Sequence, residues 1–213
     1  MGKLSDSFQR INTIERGDID KPDRNQDFDI NFVILDGARG VGKSTTAQQV
    51  VGLLQKVGLD AIYFKKGPRN DNDEYANMRD HINSFRQKKP QIAIVDRFVA
   101  TEIVMSLAHE RVNPRILFGW AEGIERQLHM AGCLHYILTA PTWFLNKRIS
   151  ERGTRQLDMP EHLLTPLWNV SIGMLTTASQ VEIKSDEDNS RLATRIAQKI
   201  IDSRWKQLLG QKQ

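Results

Sequence analysis

The 213-residue chain holds one cysteine, Cys133, in an apolar stretch. A lone thiol excludes an internal disulfide framework and a cysteine-built zinc module, and a buried core thiol is the expectation. The five histidines show no metal-ligand spacing. No apolar run approaches the ~20 residues that a helical membrane span needs. The first residues lack the charged-then-apolar pattern of a secretory leader. Met1-Gly2 is followed by Asp6 where an acylation signal wants Ser or Thr. These absences give the expectation of a soluble protein of a reducing cytoplasm. Repeats and low-complexity tracts are missing too. Neither charge sign dominates: 30 basic against 26 acidic residues leave +4 and a pI near 9.2. That balance suits phosphorylated partners, although one basic cleft accounts for it as well as a nucleic-acid surface does.

What is present is an alternation of short apolar runs with helical segments. Residues 1–30 are polar and of mixed charge, and are expected to form an N-terminal arm; residues 31–213 form the domain. Strands are predicted at 31–35, 61–64, 91–95 and 134–138, with a short fifth at 181–183. Helices are predicted after the first strand and over 75–87, 99–109, 114–131 and 142–152. Residues 160–179 should be helical with an interruption near Pro166. A last helix should be capped by Asp188 or Asn189, with Leu192, Ile196 and Ile200 on one face. This alternation implies an α/β fold, a parallel doubly wound sheet with its site at the strand C-termini.

Residues 37–44 read Gly-Ala-Arg-Gly-Val-Gly-Lys-Ser, the GxxxxGK[ST] phosphate loop, placed between a strand and a helix as its chemistry requires. Gly37, Gly40 and Gly42 allow backbone conformations and approaches that a Cβ would obstruct. Gly37, Ala38, Gly40, Val41, Gly42, Lys43, Ser44 and Thr45 are therefore assigned to nucleotide phosphates. Backbone amides and the helix N-terminus would face the anion. Lys43, expected on an exposed loop, would reach the β/γ oxygens, and the Ser44 hydroxyl would hold Mg²⁺. Asp96-Arg97 follows the third strand at the same sheet edge. The carboxylate suits metal ordering or proton acceptance, and the arginine suits an anionic acceptor. Lys147, Arg148, Arg152 and Arg155 form a basic cluster in which Arg148 and Arg152 share a helix face. They would supply charge to a transferring phosphoryl group, or form a solvated face paired with acids. Lys65, Lys66 and Arg69 end the second strand and could meet phosphates. Trp143 and Trp168 are either base-stacking platforms or core residues, core being the expectation.

The order of these motifs resembles the thymidylate kinase family of P-loop nucleoside and nucleotide kinases, from about Asn31 to Leu209. FVILDGARGVGKSTTAQQVVGLLQKVGLDAIYFKKGP is similar to that family's opening strand, phosphate loop, helix and second strand. YANMRDHI resembles the helix that flanks the thymine site, IAIVDRF the Asp-Arg-aromatic strand end, and LNKRISERG the segment leading into an arginine-bearing lid. The resemblance implies a three-layer P-loop kinase fold with a sheet of about five strands and that lid. It also implies ATP and Mg²⁺ as cofactors. Several positions depart from the family. Arg39 stands where an acid usually meets the acceptor's 3′-hydroxyl. Lys66-Gly67-Pro68 replaces Glu-Pro-Gly. Met78, beside Arg79, takes the place of the acceptor-gripping arginine, and Gln156-Leu157 that of a lid Asp-Arg pair. The stretch from Pro68 to Gln91 is shorter than the family's.

Positive charge thus replaces negative charge around the acceptor while the ATP half is intact. The expected activity is transfer of the ATP γ-phosphoryl group to a deoxynucleotide acceptor, a hydroxymethylpyrimidine nucleotide within DNA, as in a resembling group of viral kinases. A free deoxynucleoside monophosphate acceptor is the alternative. A P-loop regulatory or motor ATPase is the reading from another class, disfavoured by the Asp96-Arg97-Phe98 strand end and the basic lid. Lys43, Asp96, Arg97, Arg148, Arg152 and Arg155 are the candidate catalytic residues, and Ser44 and Asp96 the metal ligands. Arg39, Lys65, Lys66, Arg69, Arg79 and Arg97 are the candidate acceptor contacts. The expected partner is the nucleotide or DNA acceptor, with no membrane; a homodimer is compatible. The cytoplasm would be the host's if the protein is viral.

Overall fold

Six consecutive buried residues, Phe32–Gly37, form the central strand β1. A strand covered on both faces cannot alternate polar with apolar, which is why Phe32 to Leu35 reads as an unbroken apolar run. The computed structural model describes residues 30–65, 92–110, 113–151 and 161–210. After β1 come helix α1 (Lys43–Lys56) and strands β2 (Ala61–Lys65) and β3 (Ile92–Asp96). Helices α2 (Val99–Ala108) and α3 (Pro114–Met130), strand β4 (Cys133–Thr139) and helices α4 (Thr142–Glu151) and α5 (Glu161–Met174) follow. Strand β5 (Ser179–Glu182) and helix α6 (Asp186–Gly210) complete the order. The polar arm expected over residues 1–30 lies, apart from Ile30, outside the described residues, and so does the helix expected over 75–87.

The sheet runs β2-β3-β1-β4-β5, and every pairing is parallel. Leaving β1, the chain crosses β3 to build β2; leaving β3, it crosses back over β1 to build β4. Right-handed crossovers in opposite directions put their helices on opposite faces, which makes three layers. α1 packs against α6, and α2 packs against α3 and α5. The register sets Leu35 and Lys65 opposite Asp96, and Gly37 opposite Leu138. The C-terminal ends of four strands therefore meet at one edge, where open α/β sheets bind ligands.

Local signals explain several boundaries. Asn113 accepts the Arg115 amide at 3.0 Å, and Pro114 occupies the first position of α3, where a missing N–H costs nothing. The last helix starts earlier than its expected caps. Ser185 Oγ accepts the Asp188 amide at 3.2 Å, while Asp188 accepts the amides of Lys184 and Ser185 at 2.9 Å each. This reciprocal box makes Ser185 the cap and Asp188 its third-position partner. Asn189 lies inside the helix, buried, and caps nothing there. Leu192, Ile196 and Ile200 are buried as their spacing predicts.

Three further expectations are corrected. Pro166 lies within α5 rather than interrupting it, on the exposed side, where the backbone bond it cannot donate is least costly. β5 begins at Ser179, two residues before the apolar signal, because it is an edge strand with largely exposed residues. Trp143 is 63% exposed at the start of α4 and is not a core residue, whereas Trp168 is buried as expected. Cys133 is half-buried on β4, and burial and then the Asp36 charge hold its thiol well above the usual range, so it is no nucleophile.

Candidate functional site

β1 delivers the chain into the glycine-rich loop with Gly37, Gly40 and Gly42 at φ of 135°, 86° and 99°. Two of these glycines answer to the protein itself. A Cβ on Gly37 would stand 2.1 Å from the Leu138 carbonyl oxygen, and one on Gly42 would stand 2.3 Å from Asn189 Oδ1. The loop is thus wedged between β4 and α6. Asn189 also accepts the Thr46 hydroxyl at 2.9 Å, fixing the first turn of α1. No sequence signal marks this role, because Asn before a helical run reads first as a cap.

Lys43 is 6% exposed, which corrects its expected place on an exposed loop. Its ammonium donates to the carbonyls of Gly37 and Ala38 at 2.7 Å each, bridging the loop's mouth. The next residue, Ser44, donates its hydroxyl to Asp96 Oδ2, and Tyr63 donates to the same oxygen at 3.0 Å. Asp96 is 1% exposed, and its other oxygen, Oδ1, is buried with no hydrogen-bond partner among the described residues. A buried carboxylate oxygen left unmet is costly unless something else satisfies it. Tyr63 was not singled out in the sequence; on β2 it pairs with Ile94, and only the β2–β3 register brings its hydroxyl to Asp96. Burial first, and then the Asp96 charge, raise the Tyr63 phenol above its usual range, so it remains a donor.

Arg97 follows Asp96 with φ 72°, a left-handed conformation uncommon outside glycine. Such strain costs about 1–3 kcal/mol and gathers at functional sites. The guanidinia of Arg39 and Arg97 make no hydrogen bond or ion pair among the described residues, and both side chains are half-buried. Two cations without a carboxylate partner at one sheet edge suit an anion.

Arg148 lies in the last turn of α4. It donates to the Gly40 carbonyl at 3.1 Å, pairs with Asp186 at the start of α6, and lies 5.1 Å from the Phe144 ring centroid. The arginine braces the loop from outside. Lys147 is exposed and sits 3.9 Å from Glu151, a solvated helix pair. Lys65 is exposed at the end of β2, level with Asp96. Lys66, Arg69, Arg79, Arg152 and Arg155 lie outside the described residues.

The oxygen set at Asp96 and Ser44 fits Mg²⁺. That ion takes one or two carboxylates, substrate phosphates and its own waters, and needs no dense protein cage. Among the described residues no group of three or more His, Cys, Asp or Glu gathers into a metal cluster. Nor is any described helix long and apolar enough to cross a membrane.

No protein-family model matches the chain, and neither does any curated protein sequence. Solved structures do. Polyphosphate kinase 2 from Arthrobacter aurescens TC1 is similar over 81% of this chain and 67% of its own, with TM-score 0.51 and 16% identity. Shikimate kinase from Acinetobacter baumannii, in complex with shikimate, aligns over 81% and 94% at TM-score 0.49 and 16% identity. Deoxyadenosine kinase from M. mycoides, with bound dCTP, aligns over 77% and 97% at TM-score 0.44 and 15% identity. Identities this low speak for the fold alone. The parallel order β2-β3-β1-β4-β5, with the glycine loop between β1 and α1, makes that fold the three-layer α/β architecture of the P-loop kinases.

Proposed function

We propose that this chain is an ATP-dependent phosphotransferase acting on a deoxynucleotide acceptor. The observation that carries the reading is Asp96, buried at the end of β3 with Ser44 and Tyr63 on one oxygen and no partner among the described residues on the other. Loop amides and the Lys43 ammonium, released from the Gly37 and Ala38 carbonyls, hold the donor phosphates. Ser44 and Asp96 hold Mg²⁺, which when bound neutralises charge on the phosphates. The acceptor oxygen forms a bond to the γ-phosphorus as the bond to the β–γ bridging oxygen breaks, and ADP leaves. Asp96 orders the metal's water or takes the proton of the attacking hydroxyl. With Arg148 committed to the loop, charge for the transferring group falls to Arg152 and Arg155.

The finer reading is an acceptor nucleotide within DNA that bears a hydroxymethylpyrimidine. Arg39 supports it, since a half-buried guanidinium with no carboxylate partner among the described residues suits a 3′-phosphate better than a free 3′-hydroxyl. Lys65, exposed at the end of β2 and followed in the sequence by Lys66 and Arg69, adds positive charge suited to phosphates. The test offers labelled ATP with deoxynucleosides, deoxynucleoside monophosphates, and DNA with and without hydroxymethylpyrimidine. Label should enter the modified DNA, and Arg39→Asp should shift preference toward the monophosphate by roughly 1–3 kcal/mol. Label in monophosphate alone would remove the DNA reading. ATP hydrolysis indifferent to every acceptor would remove the kinase reading and favour a P-loop ATPase.

A further inference from the structure

Asp36, one residue before the loop, is fully buried yet faces away from any nucleotide role. Its Oδ1 accepts the amides of Phe98 and Thr101 at 2.8 and 3.1 Å and the Thr101 hydroxyl at 2.6 Å. Its Oδ2 accepts the Ala100 amide at 3.0 Å and lies 3.0 Å from His135 Nε2 on β4. The first turn of α2 has no side-chain cap from its own N-cap residue, Phe98. Its orphan amides are served instead from β1, by a residue more than sixty positions earlier in the chain.

Just before those amides stands Arg97 in its left-handed conformation. Its own amide donates to the Leu35 carbonyl at 3.1 Å, and the following amide donates to Asp36. Two consecutive β1 residues therefore grip the two amides that flank the strained backbone. A left-handed arginine persists only where its surroundings over-determine it, and Asp36 supplies half of that determination. His135 ties the same carboxylate to β4, so β1, β4 and the start of α2 meet on one group.

We propose that Asp36 is a positioning residue: it fixes the strained Arg97 at the sheet edge and so couples the strand that carries the phosphate loop to the acceptor grip. This rests on the reading of Arg97 as an acceptor contact. The plainer possibility is a helix cap that only stabilises the fold, and the two differ in what depends on Arg97.

Asp36→Asn keeps the shape but turns one accepting oxygen into a donor: in place of Oδ2 it cannot serve Ala100, and in place of Oδ1 it cannot serve Phe98 or Thr101. Amide exchange should quicken by about tenfold or more at Ala100, or at Phe98 and Thr101 together, according to which oxygen is replaced, while the β1 and β4 amides hold. ATP affinity should stay within about twofold, while turnover falls by roughly ten- to a hundredfold, the scale set by misplacing a contact by about an ångström. In an Arg97→Ala background the same substitution should change turnover by less than about threefold. Equal losses in both backgrounds would reduce Asp36 to a cap and overturn the proposal, as would unchanged exchange at the three amides. If the Asn variant does not fold, Thr101→Val, which deletes one donor to Asp36, should give the same pattern at smaller size. If no acceptor is ever phosphorylated by the wild type, the proposed function fails, and amide exchange still decides whether Asp36 holds the junction.

Discussion

Gly42→Ala tests whether the phosphate loop is held by the protein as tightly as its contacts indicate. At φ 99° a residue with a side chain incurs about 1–2 kcal/mol of backbone strain. The added methyl would stand 2.3, 2.6 and 2.7 Å from Oδ1, Nδ2 and Cγ of Asn189, far inside contact distance. Asn189 cannot simply swing away, because it is 1% exposed and its Oδ1 accepts the Thr46 hydroxyl. Displacing it forfeits that bond, about 1 kcal/mol net, with a further overpacking cost of about 1 kcal/mol. The sum is roughly 3–4 kcal/mol, a large share of a domain's ordinary margin. Urea unfolding at constant slope measures it. In an Asn189→Ala background the clash disappears and only the strain remains, so the cost of Gly42→Ala should fall to about 1–2 kcal/mol. The same cost in both backgrounds, or a cost below about 1 kcal/mol in the wild type, would refute the argument that α6 constrains the loop.

Four other outcomes follow from the same geometry. Lys43→Ala should abolish phosphoryl transfer and also lower stability by about 1–3 kcal/mol, because two loop carbonyls lose a charged donor; initial rates and unfolding midpoints read the two effects. Asp96→Asn should remove transfer while ATP affinity stays within about tenfold, since the carboxylate is needed in the transition state; equal losses in binding and turnover would mark it as structural. Tyr63→Phe removes one of two donors to Asp96 Oδ2 and should raise the Mg²⁺ concentration for half-maximal activity by about three- to tenfold, read by metal titration at saturating ATP. Asp36 has its carboxyl lowered from 3.8 to about 2, burial pushing it up but His135 and the α2 amides more than offsetting that. A depressed carboxylate stabilises above its unfolded value, so about 2 kcal/mol should be present above pH ~5 and vanish as pH falls from 3.8 toward 2; wild type and Asp36→Asn unfolded side by side across that range would converge only if this is right.

Much of the fold was legible because its signals are local. Phe32 to Leu35 cannot be anything but a covered strand, and the loop after Asp36 announces itself by spacing. That Ser44, Asp96 and Arg97 share one sheet edge was legible because strand ends in a parallel sheet converge by topology. What escaped depends on register between distant segments. Tyr63 reads as one more strand residue until β2 is set against β3. Asp36 reads as the end of a strand until α2 folds back onto it. Asn189 reads as a cap because its partner, Thr46, is 143 residues away. Arg148 was grouped with Arg152 by helical spacing, yet Gly40 and Asp186 claim it. Pro166 and β5 were misplaced for the opposite reason: the local rule was sound, and solvent exposure relaxed it.

The bond between Thr46 and Asn189 also sets a timetable. A ribosome adding about 5–20 residues per second needs roughly 7–30 s to make the 143 residues between them. Throughout that interval the nascent chain already displays β1, the glycine loop and α1, but not the helix that covers α1. Until that helix arrives, Gly42 has no Asn189 behind it. The face of α1 that packs against α6 is in the meantime a surface a chaperone would meet.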